Sequence, residues 1–147
     1  MFLAGDREEA LLYVSYLTRN GRTALVPEYL PEDEGEFTIG VLSLPGGRLA
    51  GSVAMRRLFN SKLSVLYKGR LGLISSGYSQ GEIDDFPALR QSAERIAAAI
   101  GSEGPINVQG RVRNGVLIPF EINPRFSAST YLRALAGFNE VDVFLQF

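Results

Sequence analysis

Apolar and polar positions along this chain change period several times, and each change marks an element. After Asp6, a capping residue with Glu9 three positions on, Leu11, Leu12, Val14 and Leu17 recur at helical spacing until Asn20-Gly21 stops the run. "TALVPEYL" (23–30) is rich in β-forming residues and predicts a strand, followed by the acidic loop "PEDEGE" and a second strand, "FTIGVLSL". "PGGR" then predicts the turn of a hairpin into "LAGSVAMRRLF". Between residues 60 and 85 the segments "SVLY" and "LGLISSGYS" have strand-like cores, but their glycines and serines blur the pattern.

A second helix is more sharply drawn. Pro87 suits a first turn, Leu89, Ala93, Ile96, Ala97 and Ile100 form one apolar stripe, and Gly101 closes it. "PINVQGRV", the turn Asn114-Gly115 and "VLIPFEIN" make a β-hairpin, and a short helix follows over 127–136. Hairpin-paired strands with interspersed helices predict an α+β fold, a largely antiparallel sheet packed with helices, in one domain over 1–147. The predicted core is Leu11, Val14, Ile96, Ile100, Val108, Phe120 and Ile122.

The last hairpin carries polar residues where a buried strand should not. Along a strand alternate side chains share a face, so Glu121 and Asn123 project from one side and Phe120 and Ile122 from the other. On the preceding strand Asn107 and Gln109 lie opposite Val108 and Val112. A plain two-residue turn would set Gln109 against Phe120; a lengthened turn or a bulge sets it against Glu121 and gathers the polar groups on one face. The bulged register is therefore expected. It yields a row of oxygen donors, Gln109, Glu121 and Asn123, with Arg125 just beyond Pro124. Such a set fits a hard cation such as Mg²⁺ (or Mn²⁺), and the neighbouring guanidinium fits a phosphate. The competing explanation is an ion pair between Glu121 and Arg125 at a strand end.

Composition narrows the chemistry. The chain has no cysteine and no histidine, so thiolate or imidazole zinc sites and triads with a histidine base are excluded within it. Fifteen basic and sixteen acidic residues nearly cancel, which gives no reason to expect nucleic acid or an anionic membrane as partner. No apolar run is long enough to span a membrane, and the first residues are too short for a signal peptide, so a cytoplasmic location is expected.

With these residues in place, "GPINVQGRVRNGVLIPFEINPRFSAS…AGFN" resembles the closing part of ATP-grasp carboxylate–amine ligases, in the branch that contains the large subunit of carbamoyl-phosphate synthetase. The earlier "LVPEYLPEDEGEFTIGVL" resembles the hinge-and-strand segment of the same fold, in the expected order. The resemblance implies Mg²⁺ ligands at Gln109, Glu121 and Asn123 and a phosphoryl contact at Arg125. It further implies an adenine edge along the backbone of Glu28, Tyr29 and Leu30, and a ribose acceptor at Glu36, with Glu34 as rival. Arg56 or Arg57, but not both, could reach a phosphate or substrate carboxylate. Glu32 and Asp33 are expected to be solvated loop residues.

The resemblance begins partway through the fold, without counterparts of the N-terminal domain or the glycine-rich-loop subdomain. The implied activity is ATP-dependent activation of a carboxylate as an acyl phosphate for attack by an amine or ammonia. The implied partners are those small molecules and the absent lobe, so this piece alone is expected to be inactive. A polar sheet face left uncovered by that lobe is a surface on which a homodimer could form. Two other outcomes are a nucleotide-binding module without catalysis and a purely structural interaction domain.

Overall fold

The computed structural model describes residues 2–60, 62–78 and 80–147. Its elements run α1 (Arg7–Arg19), β1 (Glu36–Leu44), β2 (Arg48–Arg57), β3 (Val65–Gly69), β4 (Gly72–Ser75), β5 (Gly81–Asp84), α2 (Pro87–Ala99), β6 (Pro105–Arg113), β7 (Val116–Asn123), α3 (Thr130–Leu135) and α4 (Glu140–Leu145). Five strands form one sheet in the order β5-β2-β1-β6-β7, every neighbouring pair antiparallel, and β3 and β4 form a separate hairpin. This is the α+β, largely antiparallel architecture that the pattern predicts.

The two faces of the sheet differ in chemistry. On one, Phe37, Ile39 and Val41 of β1, Ala54 of β2, Ile106, Val108 and Val112 of β6 and Leu117 of β7 form an apolar layer. Leu89, Ala93 and Ala97, one helical turn apart along α2, pack onto it. Ile39 is fully buried, so truncating it to alanine would cost about 2–5 kcal/mol. The opposite face carries Glu36, Thr38, Asn107 and Arg111, all buried beneath the β3–β4 hairpin and the C-terminal helices.

The β6–β7 hairpin shows how the sequence sets this division. Asn114 and Gly115 both take positive φ, 53° and 72°, which gives the two-residue turn that matches strand twist. The correction that regular pairing would need is made inside the strand: Gly110 pairs with Pro119 and Gln109 with Glu121, leaving Phe120 as the extra residue of a bulge. Leu117 and Ile122 thereby both lie on the apolar side, although their numbers differ in parity.

Several expectations are corrected. Phe120 is 41% exposed because the bulge residue belongs to neither face, and Ile122, near the end of an edge strand, is 40% exposed. Leu11 and Ile100 are also exposed, and α1 buries no residue at all; its apolar stripe lies outside the core built around α2. Residues 22–30 form no strand. Of the two blurred segments, "SVLY" enters β3 and "LGLIS" contains β4, while Ser79 lies outside the described residues. The strand β5 and the helix α4 were not foreseen. Asp6 does cap α1, its Oδ1 accepting from the Glu9 amide at 2.9 Å.

Candidate functional site

The bulge aligns the polar residues of the last hairpin. Gln109 lies directly across from Glu121 and Asn107 across from Asn123, so Gln109, Glu121 and Asn123 stand on the polar face as one row. Gln109 also faces Thr38 across β1. Among the described residues no side chain donates to, accepts from or pairs with these three. Asn123 Nδ2 is a buried polar atom without a partner; the other such atoms belong to Arg57, Arg133 and Glu140, each of which has partners at its remaining atoms.

Arg125 follows this row and does not pair with Glu121. Its backbone N–H donates to the Asn123 carbonyl at 2.9 Å, its Nη1 donates to the Phe126 carbonyl at 2.9 Å, and the side chain is exposed. The ion-pair explanation for Glu121 and Arg125 is thus not what the structure contains.

Beside the open row lies a closed network. Arg133, returned to the sheet by α3, is fully buried; its Nη1 donates to Glu140 Oε1 at 2.8 Å and its Nη2 to Asn107 Oδ1 at 2.6 Å. Thr38 Oγ1 donates to the same Asn107 oxygen at 2.8 Å. The crossing requires glycine at position 40, where a Cβ would stand 2.0 Å from Arg133 Nη1. Asn107 is thereby immobilised next to Asn123. Neither Arg133 nor Glu140 stands out in the sequence; an arginine flanked by leucine and alanine in the short helix TYLRAL is the available signal.

Glu36 occupies the centre of a second network. It is fully buried between Arg111, its cross-strand partner on β6, and Arg57 on β2. Arg57 Nη1 donates to Oε1 at 2.8 Å and Arg111 Nε to Oε2 at 2.9 Å, so both carboxylate oxygens are engaged. Glu36, the residue at which a ribose acceptor is expected, is thus enclosed by protein, with one guanidinium on each oxygen. Of Arg56 and Arg57, the buried one is Arg57, and it serves Glu36 and the Ser76 and Tyr78 carbonyls. Glu34 is engaged as well, accepting from the backbone N–H groups of Gly115 (3.0 Å) and Asn114 (2.7 Å), which hold its carboxyl below the usual carboxylate range.

Arg111 ties this centre to the irregular segment before β1. Its Nη1 donates to the Leu30 carbonyl, its Nη2 to the Leu73 carbonyl at 2.9 Å, and its guanidinium lies 5.2 Å from the Tyr29 ring centroid. Burial alone would lower its pKa, but the hydrogen bond and charge of Glu36, with the Tyr29 hydroxyl, more than offset this and raise it. The Tyr29 hydroxyl accepts from the Leu73 amide at 2.8 Å and donates to Glu32 at 3.0 Å, so Glu32 is not merely a solvated loop residue. Gly72 makes room, since a Cβ there would meet the Tyr29 hydroxyl oxygen at 2.3 Å. Glu28 pairs with Arg113 at 2.8 Å. With these anchors made, the remaining backbone donors and acceptors of Glu28, Tyr29 and Leu30 have no partner among the described residues.

This face carries charges of both signs. Among the described residues the buried ionised side chains are Arg57, Arg111 and Arg133 against Glu36 and Glu140, with the half-buried Glu32 at 3.9 Å from Arg111. A face that carries both guanidinium and carboxylate groups, bordered by side-chain oxygens without a protein partner among the described residues, can receive an anion together with a cation.

The comparisons with known proteins agree with this architecture. The structure resembles D-alanine–D-alanine ligase from Bacillus anthracis, solved in complex with ATP, with a TM-score of 0.58 at 14% sequence identity. The likeness covers 96% of this chain and 46% of that one, so the chain spans about half the length of that ligase. At this identity the likeness establishes the fold alone. The profile of the family described as "ATP-grasp in the biosynthetic pathway with Ter operon" matches residues 20–147, and the chain belongs to that family. No curated protein matches the sequence.

Proposed function

We propose that this chain supplies the part of an ATP-grasp ligase that holds Mg-ATP, in an enzyme that activates a carboxylate for attack by an amine or ammonia. The observation that carries the proposal is a contrast on one sheet face. The side chains of Thr38, Asn107, Glu36 and Arg111 are all bound to protein partners, whereas those of Gln109, Glu121 and Asn123, aligned beside them, have none among the described residues. Two amide oxygens and a single carboxylate fit Mg²⁺, which binds through one or two carboxylates and takes its remaining ligands from water and phosphate. The bound metal would supply charge neutralisation for the phosphates during transfer.

The chain's own groups would then divide the work. Gln109, Glu121 and Asn123 hold the metal-bearing end of the nucleotide. Arg125, exposed and with most of its fork uncommitted, contacts the phosphoryl group that moves to the substrate carboxylate. The unpartnered backbone groups of residues 28–30 receive the edge of the base. No proton-transfer histidine is required, because positioning and electrostatic stabilisation supply most of the catalysis in phosphoryl transfer.

Calorimetry of ATP against the protein with and without Mg²⁺ tests this. Binding that is strong with Mg²⁺ and much weaker in EDTA is expected; no heat of binding under either condition would overturn the proposal.

A further inference from the structure

We infer that Arg111 is a positioning residue for base recognition, and that Glu36 acts as its anchor and not as a ribose contact; the inference rests on the Mg-nucleotide reading above. A segment without secondary structure can present a defined hydrogen-bonding edge only if something fixes it. Residues 22–33 lack strand or helix, yet Leu30 is buried and its carbonyl is held by Arg111 Nη1. The same guanidinium holds the Leu73 carbonyl of β4 through Nη2 and lies over the Tyr29 ring, while Tyr29 itself accepts from the Leu73 amide. Three parts of the chain therefore meet on one side chain: the segment at 29–30, β4 and the sheet.

Glu36 explains why the side chain can do this from inside the fold. A guanidinium with a side chain 7% exposed needs a counter-charge, and Glu36, directly across β1, gives it one at 2.9 Å. Arg57 holds the other Glu36 oxygen and extends the brace to the Ser76 and Tyr78 carbonyls beyond β4. The brace leaves the backbone donors and acceptors of residues 28–30, the Leu30 carbonyl excepted, without a partner among the described residues. Its role is to aim them. The metal row on β6 and β7 makes no hydrogen bond to the brace, so the base end and the phosphate end can be perturbed separately.

The test compares three ligands, all with Mg²⁺: ATP, GTP and inorganic tripolyphosphate, on the full-length protein and its variants. Arg111→Met should weaken ATP about tenfold, reduce the preference between ATP and GTP, and leave tripolyphosphate within about twofold. Arg111→Lys keeps the charge beside Glu36 but cannot span the Leu30 and Leu73 carbonyls together. It should recover melting temperature without recovering base preference. Tyr29→Phe removes the hydroxyl's bonds to Leu73 and Glu32 while the Arg111–Glu36 pair remains, and should also blunt that preference, which keeps the test available should Arg111→Met fail to fold. Replacing ATP by 2′-deoxy- or 3′-deoxy-ATP should weaken binding by the same factor in the parent and in Glu36→Gln, because Glu36 does not meet the ribose. Unchanged base preference in Arg111→Lys and Tyr29→Phe, or an equal loss of tripolyphosphate binding, would overturn the inference alone. So would a deoxy penalty that disappears in Glu36→Gln. Failure of the parent to bind either nucleotide or tripolyphosphate would overturn the function reading, and this inference with it.

Discussion

Glu121 and Glu36 are both glutamates on the polar side of one sheet, and the structure gives them opposite tasks. Glu36 is inaccessible and held by two arginines, so its charge belongs to the fold; Glu121 is exposed and unpaired, so its charge is available to a ligand. Glu121→Gln keeps the shape but removes the charge a hard cation needs. It is expected to leave the melting temperature nearly unchanged while weakening Mg-ATP binding at least tenfold by calorimetry. Arg125→Lys should spare magnesium affinity and lose phosphate grip, since an ammonium cannot make two parallel contacts. Glu34 predicts a pH effect. Its carboxylate accepts from the Gly115 and Asn114 amides, so its pKa is lower in the folded state than in the unfolded chain. The contribution is present above the ordinary carboxylate range and is lost as pH falls through the lowered folded value. The amide signals of Asn114 and Gly115 should therefore move together below that range, and Glu34→Gln should abolish the shared titration.

At the scale of elements, what is legible in the sequence is what local chemistry decides. Pro87, the Leu89–Ala93–Ala97 spacing and Gly101 announce α2, and Gly101 does take positive φ. Asn114-Gly115 announces its turn for the same reason. The bulge is legible only by comparing the two strands, since the polar row makes sense in one register alone. The course of residues 22–33 is not legible, because it is fixed by Arg111, a side chain eighty-one positions after Leu30. The enclosure of Glu36 is not legible for a related reason: a motif shows which residue stands at a position, not that arginines on both flanking strands will enclose it. The bulge yields its own prediction. Deleting Phe120 leaves Gly110 opposite Pro119 and Gln109 opposite Glu121, so Mg-ATP binding should survive. Deleting Ile122, which is regularly paired, turns Asn123 to the apolar face and should abolish it.

For the molecule as a whole, stability is concentrated around the sheet and α2. The helix α1 buries no residue, and Leu12 and Tyr16 on it are largely exposed, so it should open independently of the sheet. Amide hydrogen exchange should accordingly release the α1 amides well before those of β1 and β6; coincident exchange would show that α1 belongs to the cooperative core. On the proposed reading, the sheet's rigid centre lets the row formed by Gln109 of β6 and Glu121 and Asn123 of β7 hold a ligand in fixed geometry. That is the central claim, and a paramagnetic probe can locate the metal directly. With Mn²⁺ replacing Mg²⁺ in the presence of ATP, the amide resonances of Gln109, Glu121 and Asn123 should broaden first, while those of the acidic loop at 32–36 persist. Broadening confined to that loop, with the β6–β7 row unaffected, would contradict the account.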